Sequence, residues 1–514
     1  MLQGSPTSLQ DLRIHARNEP NRTAVVCNGL SWSYGELDSL SNRLAHVFRA
    51  CGVERGDHIA ILVGNRPEIL ALVWAAWRTG IYLTPMSTNL THSELAYMLQ
   101  DCGAKIFVCD SQYAKVGETL LAQFRGSQLQ FLSLGESIQG FDSLNDSLQQ
   151  MSDLPVNDEC PGALMMYTSG TTGSPKGVIR PLLPTDWRGT PPFAQDLLNL
   201  FNIGGDDVRY LSTQPLYHAA ALRFALAVTA GGGLVHVMSR FDAQEALQIL
   251  EKERITHSQW VPAMFQRMLK LPSEQLSNFH APSHRCAIHG AAPCTPELKV
   301  KMIQWWGPIL LEYYSGSEGV GLSLINSQEA LTHPGSVGKV YKGELHVVSD
   351  PNSDIELPTG EVGMLYFSGI SRFEYHNAPE KTKARTHVKG WQTLGDLGYV
   401  DGDGYLYLSD RMDDMIISGG VNVYPQEIEK IILQVQGVQD CAVVGFSDED
   451  FGERPIAFVV PESAHSPASL IKRVQDYCQE HLGRIKRPDR IELIADLPRT
   501  ATGKLLRRQL KNRV

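Results

Sequence analysis

The sequence predicts an α/β protein whose large N-terminal domain is built from parallel-type sheets covered by helices. Three observations lead to this fold class. Strand-like and helix-like segments alternate through most of the chain, glycine-rich turns joining short strands begin near Lys339, and a separate α/β pattern follows Arg411. Strands that alternate with helices are typical of parallel sheets with helices on their faces. We therefore expect a β-rich subdomain and a small, mobile C-terminal α/β domain beside the large one.

The alternation begins with a helix that has clear end signals. Ser33 and Glu36 have capping-box spacing, apolar residues then recur at helical spacing, and Gly52 ends the segment. Buried strands and amphipathic helices follow in turn. We predict strands at 58–65, 105–110, 208–213, 232–238, 257–262 and 285–292, and helices at 67–80 and 241–255.

A change of texture suggests two further units. Residues 339–411 contain the short strands of the β-rich subdomain, which we assign to a large domain spanning residues 1–411. Residues 412–514 are long enough for a small domain with its own core, including a helix from Gln426 to Val435. The charges and glycines of "SDRMDDMIISGG" suit a hinge, which we place near Asp413.

Bulk properties exclude several classes of protein. The chain has 514 residues and a formal net charge of -10, which argues against broad binding of nucleic acid or anionic membranes. Its nine cysteines form no C-x-x-C pair, so neither a zinc site nor a disulfide framework can be inferred. The N-terminus lacks a signal-peptide pattern, and no run of about 18 apolar residues suggests a membrane span. We expect a cytoplasmic protein.

The segment Tyr167 to Gly177, Y-T-S-G-T-T-G-S-P-K-G, follows an apolar strand-like run. Its glycines permit close backbone approach to an anion, its hydroxyls can donate hydrogen bonds, and Lys176 adds a positive charge. A loop at the carboxyl end of a strand is where α/β sheets bind ligands. The spacing fits neither the Walker loop nor the Rossmann fingerprint. The segment therefore indicates a phosphate site outside those two architectures, with a flexible polar surface loop as the alternative.

This loop resembles the signature of the adenylate-forming superfamily, which includes acyl-CoA and aryl-CoA synthetases, peptide-synthetase adenylation domains and firefly luciferase. Other segments match the family in the same order. They are "HGAAP" at 289–293, "YYSGSEG" at 313–319, the stretch 390–429 and "LPRTATGKLLRR" at 497–508. The matches span nearly the whole chain. The resemblance implies that a carboxylic acid attacks the α-phosphate of ATP, giving an acyl-adenylate and pyrophosphate.

The resemblance also implies which residues bind the nucleotide. Lys176 and the adjacent hydroxyls would hold the β- and γ-phosphates, and Glu318 would ligate Mg²⁺. Asp396 and Arg411 would contact the ribose, although "TLGD" and "SDR" depart from the usual T-G-D and G-R. Tyr314 would stack on adenine, with Tyr313 beside it as the alternative. The implied ATP or AMP site comprises Thr168, Ser169, Gly170, Thr171, Thr172, Gly173, Lys176, Gly290, Ala291, Ala292, Tyr313, Tyr314, Ser317, Asp396, Arg411 and Lys504.

Three residues have implied catalytic roles, namely Lys176, His218 and Lys504. Lys504 would bridge the α-phosphate and the attacking carboxylate, and His218 would stand beside that carboxylate. The implied acyl pocket comprises Tyr217, His218, Ala219, Phe224, Gly316 and Gly321. No residue from 217 to 224 is acidic, which disfavours an amino acid as substrate. Arg223 in this segment either faces solvent or meets a polar group of the substrate.

The second half-reaction is implied to use a different face of the small domain. Gly419, Gly420 and Asn422 would form the CoA-side loop, which enters the site when the small domain rotates at Asp413 and Lys504 leaves. The implied activity is an AMP-forming acid–thiol ligase that uses ATP, Mg²⁺ and CoA. Alternatives are an amide-forming enzyme with an amine acceptor, an aryl-acid adenylation domain loading a separate carrier protein, and a catalytically inactive binding protein. The acid and the oligomeric state, a homodimer included, remain open.

Overall fold

The computed structural model describes residues 12–168, 175–353, 355–419, 421–462, 467–499 and 505–513. Its helices are α1 Arg13–Asn18, α2 Tyr34–Ala50, α3 Glu68–Arg78, α4 His92–Cys102, α5 Ala114–Gln123, α6 Leu144–Gln149, α7 Pro192–Phe201, α8 Ala219–Ala230, α9 Ala243–Lys252, α10 Pro262–Met268, α11 Ser273–Asn278, α12 Pro296–Trp306, α13 Ser327–Thr332, α14 Pro379–Lys383, α15 Pro425–Ile432, α16 Pro467–His481 and α17 Arg507–Lys511. Two 3-10 turns lie at Ser111–Tyr113 and Arg484–Lys486.

Twenty-seven strands are found in the same described ranges. They are β1 Thr23–Cys27, β2 Leu30–Ser33, β3 His58–Leu62, β4 Tyr82–Pro85, β5 Ala104–Asp110, β6 Gln130–Leu134, β7 Asp142–Ser143, β8 Ala163–Leu164, β9 Met166–Thr168, β10 Lys176–Ile179, β11 Arg209–Ser212, β12 Leu234–Val237, β13 His257–Trp260, β14 Cys286–His289, β15 Leu310–Tyr314, β16 Leu322–Asn326, β17 Lys339–Lys342, β18 Glu344–Val348, β19 Gly363–Ser368, β20 Glu374–Tyr375, β21 Asp396–Val400, β22 Leu406–Arg411, β23 Ile416–Ser418, β24 Val421–Val423, β25 Val438–Asp448, β26 Gly452–Pro461 and β27 Arg490–Leu493.

Two large sheets form the N-terminal part of the protein. One has six parallel strands in the order β7-β6-β5-β3-β4-β8. The other has nine strands in the order β17-β16-β15-β14-β13-β11-β12-β1-β2, in which β2 at one end and β16 and β17 at the other pair antiparallel with their neighbours. The parallel centre of each sheet confirms the predicted fold class, because such sheets need helices on their faces.

A layer of helices packs between these sheets. Side chains from α3 and α8 share one core cluster with residues of β3, β5 and β12. Every residue from Ile69 to Arg78 of α3 is buried, and Trp74 Nε1 donates to Thr229 Oγ1 of α8 at 3.3 Å. The predicted capping box is present at the start of α2, where Ser33 and Glu36 exchange hydrogen bonds with each other's backbone. The two sheets are therefore joined through helices that both of them bury.

Two antiparallel sheets make up the β-rich part. The four-stranded sheet has the order β18-β19-β21-β22, while β9, β10 and β20 form a three-stranded sheet. Strand β17 pairs with β16, so residues 339–342 belong to the nine-stranded sheet and the β-rich sheet starts at Glu344. Strand β20 thus brings the segment around Tyr375 against the hairpin that flanks the predicted phosphate loop.

The chain after Arg411 folds around a core of its own. A sheet in the order β24-β23-β26-β25, with β27 beside β26, packs against α15 and α16. Helix α15 ends at Ile432, three residues before the predicted end at Val435. The division into two domains at residue 411 and their relative mobility remain predictions. In the described part of the chain, no helix has the length and apolarity that crossing a bilayer requires.

Candidate active site

The predicted phosphate loop lies between two strands that pair as an antiparallel hairpin. Strands β9 and β10 pair so that Thr168 and Lys176 are direct cross-strand partners. Gly177 is closely surrounded, since a β-carbon there would lie 3.1 Å from the Tyr167 ring and 3.2 Å from the Met165 sulfur. Hairpin pairing fixes both ends of the loop. The loop residues themselves lie outside the described ranges, and these are Ser169, Gly170, Thr171, Thr172 and Gly173.

Lys176 lies in a group of charged and aromatic side chains. Its Nζ is 5.1 Å from the ring centroid of Tyr375, a cation–π distance. Burial lowers the pKa of Lys176, and the nearby charges of Arg385 and Lys381 lower it further, whereas Asp413 raises it. Several cations close together are favoured where a polyanion binds. This arrangement fits a triphosphate better than an isolated surface lysine.

Glu318 faces the same group from the turn after β15. The Tyr375 hydroxyl donates to Glu318 Oε1 at 3.0 Å, which orients the carboxylate. Among the described residues, no cluster of three or more acidic, histidine or cysteine side chains could enclose a metal ion. Mg²⁺ is commonly held by one or two carboxylates together with substrate phosphates and water. Glu318 fits that arrangement.

The turn that presents Glu318 is closely packed. Ser315 Oγ donates to the Gly321 carbonyl at 2.9 Å. Gly321 has φ +67°, and a β-carbon there would overlap the Phe367 ring. At Gly316 a β-carbon would lie 2.6 Å from a methyl group of Leu394. The positive φ and the Phe367 ring require glycine at position 321, whereas a side chain at position 316 would displace Leu394. Gly321 thus packs against Phe367 in the core. Gly316 packs against Leu394, which belongs to the segment TLGD that departs from the usual T-G-D.

Two arginines contact the carbonyl groups of the same turn. Arg180, which follows β10, donates to the carbonyls of Glu318 and Gly319. Arg223, on α8, donates to the Ser317 carbonyl at 3.3 Å. The turn that holds Ser317, a predicted phosphate contact, is therefore hydrogen-bonded both by Arg180 next to β10 and by Arg223 of α8.

The predicted ribose and adenine residues form one hydrogen-bonded unit. Asp396 and Arg411 are cross-strand partners in β21 and β22, with Arg411 Nε 3.2 Å from Asp396 Oδ1. Tyr314 donates to Asp396 Oδ2 at 2.7 Å. The charge of Asp396 raises the pKa of Arg411, and burial raises that of Tyr314. Asp396 is thus fixed from two sides and keeps a carboxylate able to accept hydrogen bonds from a sugar.

Tyr313 points to the other face of β15. Its hydroxyl accepts from Gln259 Nε2 at 3.3 Å, and its ring lies 5.9 Å from that of Phe224. A β-carbon on Gly290 would be 2.7 Å from the Tyr313 carbonyl oxygen, so the predicted adenine-side loop packs against this residue. Ala291 has φ +68°, a left-handed conformation that is unfavourable for alanine. Ala292 follows, partly exposed.

His218 stands at the N-terminus of α8, where the acyl site is predicted. It is half-buried, its ring is 4.7 Å from that of Tyr217, and its Nε2, which is buried, has no hydrogen-bond partner among the described residues. Burial lowers the pKa of His218 to about 4. The imidazole is therefore neutral at physiological pH. A buried nitrogen without a partner is unusual and suits a group that waits for a ligand.

The predicted acyl-pocket residues do not all share one face of α8. Ala219 is partly exposed in the first turn of the helix. Phe224 is buried on the opposite side, 5.0 Å from Phe201 and 6.2 Å from Tyr210 between ring centroids. Phe224 therefore belongs to the core. The Tyr217 hydroxyl accepts from Asn89 Nδ2 at 3.3 Å.

The predicted hinge is tied to the large domain. Asp413 Oδ2 lies 2.5 Å from Arg385 Nη2, an ion pair that is mostly shielded from solvent. Gly419 has φ +55° and donates to the Phe451 carbonyl at 2.8 Å, at the end of the β23–β24 hairpin of the predicted CoA-side loop. In that hairpin, Asn422 pairs with Ile417. Gly420 and Lys504 lie outside the described ranges.

Sequence reasoning missed Tyr375, Arg385 and Arg180 and left Arg223 without a role. None of them stands in a motif, and Tyr375 lies about 200 residues after Lys176 in a strand of two residues. So short a strand has no periodicity to detect. The only sequence signals for these residues were a tyrosine and arginines in otherwise polar stretches. Such residues are too common to indicate a binding site.

Comparisons with known proteins agree with this geometry. Residues 12–374 match the family AMP-binding enzyme, and residues 427–504 match the AMP-binding enzyme C-terminal domain. The chain is 32% identical to the long-chain-fatty-acid–CoA ligase FadD13 of Mycobacterium tuberculosis, over 97% of each chain. It is 33% identical to a feruloyl-CoA synthase of an Amycolatopsis species, also over 97% of each.

A solved structure extends the similarity to the fold. ATP-bound MatB from Rhodopseudomonas palustris superposes with a TM-score of 0.84 and 29% identity, covering 98% of this chain and 99% of its own. The family matches span residues 12–374 and 427–504, and the two relatives and this superposition each cover at least 97% of the chain. This protein therefore belongs to the AMP-binding enzyme family, the adenylate-forming superfamily that its motifs resemble.

Proposed function

We propose that this protein is an ATP-dependent acid–CoA ligase that forms an acyl-adenylate, releases pyrophosphate and transfers the acyl group to CoA. One observation carries the proposal. Lys176 at the end of the β9–β10 hairpin, the Glu318 carboxylate and the Tyr314–Asp396–Arg411 unit lie close enough for their charges to interact. In addition, the buried Nε2 of His218 has no hydrogen-bond partner among the described residues. The names of the relatives, which are CoA ligases and a CoA synthase, support CoA as the acceptor.

In the adenylation step, the residues act mainly by charge and alignment. The acid and ATP are both anionic, so their approach needs positive charge and fixed geometry. Lys176 would bind the β- and γ-phosphates, which leave together, and Asp396 would hold the ribose. Lys504 would contact the α-phosphate and the attacking carboxylate. A Mg²⁺ ion ligated by Glu318 would supply further positive charge at the phosphates.

His218 would orient the reacting carboxylate without carrying a charge. A neutral imidazole can donate one hydrogen bond to a carboxylate oxygen. Because burial lowers its pKa to about 4, the imidazole would lack the second ring proton near neutral pH and so could not serve as a general acid. We therefore assign it positioning through a hydrogen bond and no general acid–base step.

The transfer step would use the β23–β24 hairpin. We propose that the small domain, residues 412–514, turns at Asp413 after pyrophosphate leaves. Lys504 would then depart, and Gly419 and its neighbours would approach the adenylate. The ion pair between Arg385 and Asp413 supports a defined hinge position before the turn. Gating of two half-reactions by one domain movement is a known use of such hinges.

Pyrophosphate exchange tests the first half of the proposal. Wild-type protein should incorporate labelled pyrophosphate into ATP when a suitable carboxylic acid is present. Lys504→Ala should abolish this exchange yet still convert preformed acyl-adenylate to thioester, while Lys511→Ala, an exposed lysine of α17, should resemble wild type in both. Equal loss of both half-reactions in Lys504→Ala would contradict its role. Absence of exchange with every acid would overturn the ligase assignment.

Product analysis tests the acceptor. With CoA and a primary amine present together, mass spectrometry should detect acyl-CoA as the main product. Exclusive formation of the amide would replace the CoA ligase by an amide-forming synthetase, since the adenylation half is the same in both.

A further inference from the structure

The short helix α14 brings an arginine to the nucleotide side of the site. Strand β20 pairs with β10 of the hairpin, and α14 follows β20 after three residues. The Tyr375 N–H donates to Thr382 Oγ1 at 2.9 Å, and the Arg385 N–H donates to the Thr382 carbonyl at 3.0 Å. The Arg385 carbonyl in turn accepts from the Thr393 N–H at 3.1 Å. The backbone of Arg385 is therefore linked both to the strand beside the hairpin and to the segment TLGD.

The Arg385 side chain reaches toward three parts of the site. Its Nη2 lies 2.5 Å from Asp413 Oδ2, and the side chain is largely shielded from solvent. A β-carbon on Gly395 would overlap Nη1, so the guanidinium packs against the residue that precedes Asp396. Burial lowers the pKa of Lys176, the charge of Arg385 lowers it further and that of Asp413 raises it. Arg385 thus contacts the hinge, packs beside the proposed ribose carboxylate and acts on the phosphate lysine.

The guanidinium has donors left for a further acceptor. It offers five N–H groups, and in the described part of the chain its one hydrogen bond goes to Asp413. Three of the charges that act on each other here are positive, on Lys176, Lys381 and Arg385. Asp413 and Glu318 supply two negative charges, and Glu318 is the proposed Mg²⁺ ligand. The group therefore keeps a positive charge that favours binding of an anion.

We propose, on the basis of the function proposed above, that Arg385 is a further phosphate-binding residue, which binds the diphosphate end of ATP and the pyrophosphate released from it. The N–H groups that do not face Asp413 would donate to phosphate oxygens, a pairing that suits the planar guanidinium. Asp413 has the same sign of charge as the phosphates and shares Arg385 with them. It would therefore oppose their binding, so that the two members of one ion pair act on phosphate affinity in opposite directions.

Titration calorimetry with inorganic pyrophosphate, ATP and AMP, each with Mg²⁺ present, tests this assignment. Arg385→Gln should weaken binding of pyrophosphate and of ATP by about 10- to 100-fold, the usual effect of losing a hydrogen bond to a charged group, and should leave AMP binding nearly unchanged. Asp413→Asn should bind pyrophosphate at least as tightly as wild type, because it removes a nearby negative charge. Arg385→Lys should recover part of the loss. Lys383→Gln, which removes an exposed cation of α14, should resemble wild type.

The opposite signs separate a phosphate contact from an ion pair that only supports the fold. Equal weakening of pyrophosphate binding by Arg385→Gln and Asp413→Asn would overturn the inference, as would a loss of AMP binding as large as that of ATP. Should Arg385→Gln fail to fold in a thermal melt, weaker pyrophosphate binding by folded Asp413→Asn would contradict the inference on its own. Unchanged pyrophosphate affinity in Arg385→Gln removes this inference alone. Wild type that supports no pyrophosphate exchange with any acid removes instead the ligase proposal on which it rests.

Discussion

Replacing Tyr375 by Phe removes one hydroxyl and tests how Glu318 is positioned. The lost hydrogen bond, from the Tyr375 hydroxyl to Glu318 Oε1, is 3.0 Å long and partly shielded from solvent. Hydrogen bonds to charged groups contribute about 1.5–3 kcal/mol. Because 3.0 Å is at the long end for an O–H donor, we take about 1.5 kcal/mol, or roughly a tenfold fall in kcat/KM for ATP. The ring, which lies under the Lys176 ammonium, is kept.

The assay is pyrophosphate exchange at several Mg²⁺ concentrations. Tyr375→Phe should require more Mg²⁺ for half-maximal rate, because the carboxylate is no longer held in place, while the KM for the acid should stay near the wild-type value. Tyr366→Phe is the matched control, since Tyr366 is a fully buried tyrosine of the neighbouring sheet whose hydroxyl has no hydrogen-bond partner among the described residues. Equal rates and equal Mg²⁺ requirements in the two variants would refute a positioning role for Tyr375.

Three further predictions use other parts of the structure. The pKa of His218 is lowered from 6.5 to about 4, so its contribution to stability should be present above pH 6.5 and decline toward pH 4; an inflection of the adenylation rate near pH 6.5 that His218→Asn abolishes would contradict a neutral imidazole. Arg385→Gln and Asp413→Asn should have non-additive effects on thermal stability and on adenylation rate, because both remove the same ion pair; the coupling energy should be about 1 kcal/mol. Strictly additive effects in the double variant would show that the ion pair is unimportant. Lys299→Met should destabilise the protein by about 3–5 kcal/mol in urea denaturation, because the carboxylate of Glu312 loses its buried partner, and the loss should shrink at low pH; an unchanged midpoint would argue against the pair.

The sequence was most informative where structure is determined locally. The capping box at Ser33 and Glu36 marks the start of α2 correctly, because the hydrogen bonds that form it lie within four residues. The phosphate loop was likewise predicted from one continuous segment, and the strands that flank it pair as an antiparallel hairpin. Pairings between distant segments were not predictable in the same way. Tyr375 reaches Glu318 only because a two-residue strand adds to β10, and no local pattern specifies that neighbour.

Helix α8 shows a second reason for failure. Apart from Arg223, its residues are apolar or nearly so, and the sequence therefore has no alternation to tell which face is buried. Phe224 was assigned to the acyl pocket on its size and apolarity. In the structure Phe224 packs in the core, because neighbouring strands and helices cover that side of α8. Arg223, the one charged residue of α8, lies on the side of the helix that is only partly buried.

The pair Tyr313 and Tyr314 explains how two dissimilar substrates can meet at one strand. Successive side chains of a β-strand point to opposite faces, so neighbouring tyrosines at the end of β15 must face different surroundings. Tyr314 reaches Asp396 on the proposed nucleotide side, and Tyr313 packs near Phe224 and Gln259 on the side of α8. The turn that follows, which carries Glu318, continues between these two sides. An acid bound along α8 and a nucleotide bound at Asp396 would therefore approach each other across the end of this strand, where a carboxylate and a phosphate must meet for adenylation.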